Sequence, residues 1–273
     1  RGVRPTENGE ALYHHARFML RQLDQAVAVA RQDSSALSGR VTLGLAPTTL
    51  CQIGLPLFEH LRSRHPGVRL NVVEGLSGHL EHMTRLGQLD LAVLFSPKAA
   101  AELSVEPLLE EELVVILPAE STLVPAGVTG ITLAETAALP LVLPSPGHGL
   151  RRRIDIEFER VNVAIDPAAE IDSLPLLMRC LAQGLGATIK PMAAIRALGD
   201  TPERWRTLRI ADARMHRANY LYALPPEKLS ACAAAVRDEI RRLVQNLVES
   251  GRWQGVTLAT PANPSPVAAL EPA

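Results

Sequence analysis

The sequence predicts an α/β protein of two lobes, the first on a parallel sheet, with a long amphipathic helix in front. Three observations predict it. Strand-like and helix-like apolar patterns alternate from about residue 40 to residue 248, the mark of β-α-β units with right-handed crossovers. The 273 residues, at roughly 150 per domain, allow about two domains. A Pro/Gly-rich stretch, Pro118 to Gly130, separates two series of elements.

The first helix opens at Thr6, a suitable N-cap preceded by Pro5. Leu12, Ala16, Met19, Leu23, Ala26 and Ala30 follow at steps alternating between four and three, a heptad seam. Running to about Asp33, this helix is about 40 Å long at ~1.5 Å per residue. The six seam residues are expected to dimerise; a helix lying on its own domain is the other reading. Ser34 to Gly39 breaks it.

Val41, Leu43 and Leu45 alternate with Arg40, Thr42 and Gly44 as a strand. Pro47-Thr48-Thr49 opens a helix with Ile53, Leu57 and Leu61 on one face, stopped by Pro66-Gly67. A strand Val68 to Val73, a short helix through Leu86 capped by Gly87, and a strand Leu89 to Phe95 complete β-α-β-α-β. The apolar run Leu113 to Leu117 reads as a strand. A second series follows: helix Leu133 to Ala138, strand Leu141 to Leu143, helix Leu150 to Val161, strand near Ala169 to Ile171, helix Leu174 to Gln183, strand Ala187 to Lys190 and helix Pro191 to Leu198. A late strand, Tyr220 to Leu224, and a helix, Ser230 to Val248, come last. The Pro/Ala-rich tail from Gly251 is expected to be disordered.

Composition narrows the function. Hydrophobic residues at 47% supply a core, and charged residues at 21% exclude wholesale disorder. A net charge of −1 and a pI near 6.8 argue against a free-standing nucleic-acid binder. Aromatic residues at 3% argue against base-stacking platforms. Cys51, Cys180 and Cys232 lie far apart, so neither a zinc cage nor a disulfide framework is suggested; they read as reduced, buried, cytosolic thiols. The first ten residues lack an apolar signal-peptide core, and no apolar run approaches the ~18 residues of a membrane span. Of the 28 basic residues 25 are arginine.

In open α/β lobes ligands bind beyond the carboxyl ends of strands, often at helix N-termini. That rule selects Thr48 and Thr49 after the first strand, whose hydroxyls and free N–H groups suit an anion. It also selects Ser96 after the third strand and Ser145 in Pro144-Ser145-Pro146-Gly147-His148-Gly149. Arg151 is placed to clamp a carboxylate, while at least two of Arg151, Arg152 and Arg153 should be solvated. The plain reading of each is a cap or a surface side chain. Gly184-Leu185-Gly186 follows a helix and precedes a strand, the reverse of a dinucleotide fingerprint, so Gly184 reads as a helix cap. His79 and His82 read as exposed rather than as metal ligands, and Asp90 as bonded to backbone or to an arginine. No nucleophile elbow or Walker sequence is present; no catalytic residue, metal or cofactor is assigned.

Several of these segments resemble the LysR-type transcriptional regulators. Glu74-Gly75-x-Ser77-x-x-Leu80 with Leu86-x-x-x-Asp90-Leu91-Ala92-Val93 looks like that family's effector-domain signature. Arg1-Gly2-Val3-x-x-Thr6-x-x-Gly9-Glu10-Ala11-Leu12 looks like the end of a winged helix-turn-helix entering the linker helix. Pro107-Leu108-Leu109 with Leu113 to Pro118, and Gly184-x-Gly186-Ala187 through Pro191, are similar to the crossover strand and the late Gly-rich segment. Leu37 to Pro47, with Ala11-Leu12-Tyr13-x-His15-Ala16-Arg17, looks most like the subgroup that includes nitrogen-assimilation regulators.

The resemblance implies two Rossmann-like lobes of the periplasmic-binding-protein type II fold. Residues 1–38 would hold the end of the DNA-binding domain and the linker helix, 39–109 with 226–250 lobe I, 110–225 lobe II, and 251–273 the tail. A small effector would sit between the lobes at Thr48, Thr49, Ser96, Ser145 and Thr188, with Arg151 added from the reading above. Lys190, in place of an apolar residue before Pro191, favours an anionic effector if it faces that cleft. Family members act as dimers or tetramers on promoter DNA and recruit RNA polymerase in the cytoplasm, without a membrane. The recognition helix would lie upstream of Arg1, so this chain alone is not expected to bind DNA specifically. A solute-binding protein of the same two-lobe fold is the alternative.

Overall fold

The computed structural model describes residues 37–97, 103–199, 202–225 and 229–259, together with Val3, Thr6, Asn8, Gly9, Leu12, Tyr13, Ala16, Met19, Leu20, Leu23 and Val27. From Asn8 to Val27 these last residues are helical. Thr6 Oγ1 accepts the Gly9 N–H at 3.1 Å, the N-cap bond its position calls for. Of the seam, Leu12, Met19 and Leu23 are exposed, at 69%, 58% and 59%; Ala26 and Ala30 lie outside the described residues.

The chain divides into two compact units, described separately. One comprises Arg1–Ala46, Ile53–Glu106 and Tyr220–Val244; the other comprises Pro47–Gln52, Pro107–Asn219 and Gln245–Ala273. This division parts from the expected lobes at residues 47–52, 107–109 and 245–250, which belong with the second unit, and at residues 220–225, which belong with the first.

The elements are β1 (Gly39–Leu45), α1 (Pro47–Arg64), β2 (Val68–Glu74), α2 (Ser77–Arg85), β3 (Leu91–Leu94), β4 (Ser104–Pro118), β5 (Gly130–Ile131), α3 (Leu133–Ala137), β6 (Val142–Leu143), α4 (Gly149–Arg160), β7 (Ala169–Glu170), α5 (Leu174–Ala182), β8 (Thr188–Pro191), β9 (Trp205–Ile210), β10 (His216–Ala223), α6 (Ala231–Glu249) and β11 (Val256–Leu258).

In the first unit β1 lies between β2 and β3, parallel to both, and residues 220–223 of β10 pair antiparallel with β3. Val41 to Leu45 are buried on both faces, where the alternation predicted one solvated face; a central parallel strand is covered on both sides. Ile53, Leu57 and Leu61 of α1 and Val236, Ile240 and Leu243 of α6 are buried. Asp90 Oδ2 accepts the Thr42 N–H at 2.7 Å, the backbone role expected of it. Buried Glu239 on α6 accepts from Arg242 at 2.7 Å and Arg64 at 3.4 Å. His79 and His82 are exposed, and no metal-binding group of side chains exists among the described residues.

The second unit is organised by β4. Leu113, Val115 and Leu117 enter one apolar cluster with Ile154, Phe158 and Leu208, while Val114 and Ile116 enter another with Leu174, Leu177 and Met178. A strand covered on both faces must be apolar at every position, which explains the unbroken run. β4 pairs antiparallel with β8, β9 and β11; β6 pairs parallel with β7. Gly184, at φ 77°, closes α5 as expected. Gly186, at φ 146°, brings its backbone so close to Pro140 that a Cβ would lie 2.2 Å from that carbonyl oxygen.

Several expectations are corrected. The segment expected as a helix from Pro191 to Leu198 is a short 3-10 turn, Met192–Arg196. Strand β9 was not anticipated. The tail is ordered at its start: Trp253 is buried and Val256–Leu258 pairs with β4; residues 260–273 lie outside the description. Cys232 is buried, but Cys51 and Cys180 are only half-buried, and all three are free thiols. No described helix is long and apolar enough to cross a membrane.

Candidate functional site

The second unit collects charged and polar side chains at the start of α1, in β4, after β6 and β7, and in β8 and β10. Ala46 caps α1 with no side-chain bond, and Pro47 occupies its first turn. The first backbone N–H groups of this helix therefore lack intrahelical partners, and its dipole favours a negative group there. Thr48 accepts from Arg217 Nη2 at 3.1 Å. Thr49 is fully buried and its hydroxyl has no partner.

Arg217 on β10 donates from Nε and Nη2 to Glu111 Oε2, at 3.1 Å and 2.5 Å. Both side chains are buried, and Glu111 Oε1 is unpartnered. Asn219 shares a strand face with Arg217, two residues on. It is buried with neither amide atom bonded. Unsatisfied buried polar atoms are rare in proteins, and each calls for an explanation such as strain, bound water or a ligand.

Lys190 stands on β8 and is 4% exposed. Burial, aided by the nearby Arg217 cation, pushes its ammonium down to about 7, against the opposing pull of Asp172. Asp172 accepts from the Ser145 N–H at 2.9 Å and from the Ser145 hydroxyl. The backbone bond from Ser145 is the main cause that holds the Asp172 carboxyl below its ordinary value.

His148, the N-cap of α4, accepts the Leu150 N–H on Nδ1 at 3.1 Å. Burial, then Lys190 and Arg217, push it down to about 4, with Asp172 opposing. The imidazole is therefore neutral at pH 7 and carries its proton on Nε2.

The six site residues expected from sequence are placed differently. Thr48, Thr49 and Ser145 take part in this polar set. Arg151 does not reach it: its guanidinium is spent on Asp155 at 2.8 Å, Glu170 at 2.9 Å and the Pro144 carbonyl at 3.1 Å. It is a buried tie rather than a clamp. Arg152 alone of the three arginines is exposed, because Arg153 is held by Glu157 and the His216 carbonyl. Thr188, two residues before Lys190, donates to the Val142 carbonyl at 2.6 Å. Ser96 belongs to the first unit, where its carbonyl accepts from Tyr222.

Glu111, His148, Asp172, Arg217 and Asn219 were not singled out. Asp172 follows β7 and His148 stands in the loop after β6, so the strand-end rule could have found both. Glu111, Arg217 and Asn219 lie inside strands, where polar residues ordinarily signal a solvated face.

A buried polar set of this kind, within one α/β unit, is what a sensing or solute-binding protein carries. Residues 34–245 match the LysR substrate binding domain, and the chain belongs to the LysR family of transcriptional regulators. It is 32% identical over 249 residues to the nitrogen assimilation regulatory protein nac of Klebsiella aerogenes, covering 89% of this chain and 78% of that one. Nac of Escherichia coli is 30% identical, covering 94% and 83%. The regulatory domain of CcmR from Synechocystis, solved in complex with 2-PG, superposes with a TM-score of 0.67 at 20% identity, covering 77% of this chain and 99% of that one. The fold is that of the family's effector-binding domains, of the periplasmic-binding-protein type II, and the chain controls transcription as a regulator of this family. Such regulators bind small-molecule effectors and DNA, and they are not enzymes.

Burial of Lys190 has a stability consequence. Its folded pKa is depressed, so the amine opposes folding increasingly as pH falls from about 10.5, the unfolded value, and fully so below about 7. Lys190→Met is expected to raise the unfolding midpoint, and by more at pH 6 than at pH 9. Urea titrations followed by tryptophan fluorescence check this; an equal shift at both values would remove the charge from the explanation.

Proposed function

We propose that this chain is the ligand-sensing and self-associating part of its regulator, and that its effector is a small anion bound in the second unit. The single observation that carries the reading is Thr49, fully buried with a bondless hydroxyl on the first turn of α1, next in the chain to Thr48, which Arg217 holds. An anion there meets a helix N-terminus, a hydroxyl donor and buried cations. Thr48, Ser145, Lys190 and His148 complete the lining. The chain performs no catalysis of its own. Promoter DNA is contacted through the family's winged helix-turn-helix domain, RNA polymerase is a further partner, and the regulator works in the cytoplasm as a homodimer or homotetramer.

Thr49→Val tests the site. It is isosteric, and it removes an unsatisfied buried hydroxyl, so stability is expected to hold or rise by up to about 1 kcal/mol. Affinity for the best binder in a calorimetric panel of small carboxylates and phosphates should fall about tenfold or more, the value of one charge-assisted hydrogen bond. Unaltered affinity would remove Thr49 from the site.

Self-association is proposed to use the heptad face at Leu12, Ala16, Met19 and Leu23, continued by Ala26 and Ala30. Three of these are large, exposed apolar residues, and an apolar helical stripe open to water seeks a partner. Leu23→Asp is expected to shift light-scattering mass toward the monomer, because the carboxylate would be desolvated without a partner. Unchanged mass would count against this face.

A further inference from the structure

We propose that Lys190 is a covalent acceptor for the carbonyl carbon of a 2-oxo acid, which makes 2-oxo acids the effector class of this site. The inference rests on the anion-site reading above and adds a reactive group to it. The chain has only three lysines, Lys98, Lys190 and Lys228, against 25 arginines. Wherever a permanent cation serves, this sequence overwhelmingly carries arginine, which cannot shed its proton. Lys190 is the lysine that sits in a buried strand, between Ile189 and Pro191, with 4% of its surface exposed. Among the described residues no hydrogen bond or ion pair neutralises it.

Its electrostatic neighbours are Arg217, His148 and Asp172. Arg217 is locked by Glu111 and Thr48, so its cation cannot swing away. A buried amine beside a fixed cation is the arrangement that keeps a lysine uncharged and nucleophilic, and this amine is held down to about 7. His148 is neutral with a proton on Nε2, and Asp172 is ionised. The pair provides a weak donor and a base for the proton movements that imine formation requires. The helix start at Thr48 and Thr49 takes the carboxylate.

The step balances without an oxidant or reductant. The Nζ lone pair forms a bond to the ligand's carbonyl carbon, and the C=O π pair moves to oxygen. That oxygen then leaves as water, carrying one proton from Nζ and one from solvent. The product is a protonated imine, whose positive charge stands near Asp172 and the bound carboxylate.

The test is borohydride trapping. The intact chain is incubated with pyruvate, glyoxylate or 2-oxoglutarate, reduced with borohydride, and read by intact mass and peptide mapping. The expected result is one reduced ligand per chain on the Lys190 peptide, forming faster at pH 8 than at pH 6, and complete loss of that label in Lys190→Met. Lys98 and Lys228 are built-in controls; labelling them as heavily as Lys190 overturns the proposal. Succinate and lactate, which lack the carbonyl, should leave no label. If a 2-oxo acid binds by calorimetry, loses affinity in Thr49→Val, and yet leaves Lys190 unlabelled, the covalent step is wrong and the anion site stands. If the three acids neither bind nor label, the inference fails for the class, and other carboxylates and phosphates in the calorimetric panel decide the anion site separately.

Discussion

Glu111→Gln is expected to destabilise the second unit by about 3–5 kcal/mol, the usual effect of breaking a buried ion pair from one side. Glu111 is 0% exposed and its partner Arg217 is 6% exposed at the side chain. The amide retains one acceptor for the guanidinium but removes the charge, so a cation remains in a poorly solvated place. Chain composition makes the measurement clean. The only two tryptophans, Trp205 and Trp253, both belong to the second unit and both are buried, so indole fluorescence reports that unit's unfolding. Arg217→Met alone should be comparably harmful, since it strands the carboxylate. The double variant Glu111→Gln, Arg217→Met should recover a substantial part of the loss, because no uncompensated charge remains. Strictly additive single effects would show that the pair is not coupled.

Gly186→Ala is the second large effect, expected at about 3 kcal/mol or more from an unfavourable positive φ combined with steric overlap. The overlap is with backbone, the Pro140 carbonyl 2.2 Å from the added carbon, so no side chain can rotate away. The same two segments exchange hydrogen bonds, Ala187 N–H to the Pro140 carbonyl at 3.1 Å and Val142 N–H to the Ala187 carbonyl at 2.8 Å. Gly184→Ala is the control: it also has positive φ, at 77°, but faces open space, so about 1 kcal/mol is expected. Equal losses at the two glycines in the fluorescence-detected transition would show that close approach is not what position 186 requires.

The sequence was most legible where apolar spacing alone decides the element. The β-α-β-α-β run of the first unit, α1 with its face at Ile53, Leu57 and Leu61, and the helix ends at Gly87 and Gly184 are of this kind. It was least legible where burial depends on partners distant in the chain. Glu110, Glu111 and Glu112 stand outside the apolar run expected as a strand, yet they lie within β4, where Arg214, Arg217 and Arg209 reach them, at 3.1, 2.5 and 3.0 Å. Arg206 similarly disguised β9; its guanidinium binds the carbonyls of Val124 and Pro125, at 3.1 and 2.9 Å. Arg151 failed in the opposite direction. Its place after a strand end suggested a ligand clamp, but Asp155, one helical turn on, and Glu170 on β7 take its donors. The strand-end rule picked out Thr48, Thr49 and Ser145, which lie in the polar set of the second unit, and passed over the charged residues that arrive from inside β4 and β10.

One small bond ties acid to architecture. The Nδ1 atom of His148 is both the acceptor that caps α4 and the nitrogen that a second proton must occupy. Below pH 4, protonation therefore uncaps the helix and places a third cation beside Lys190 and Arg217 in a single event. Acid should first loosen this helix start, at the edge of the proposed binding site, while the apolar clusters on either side of β4 stay intact.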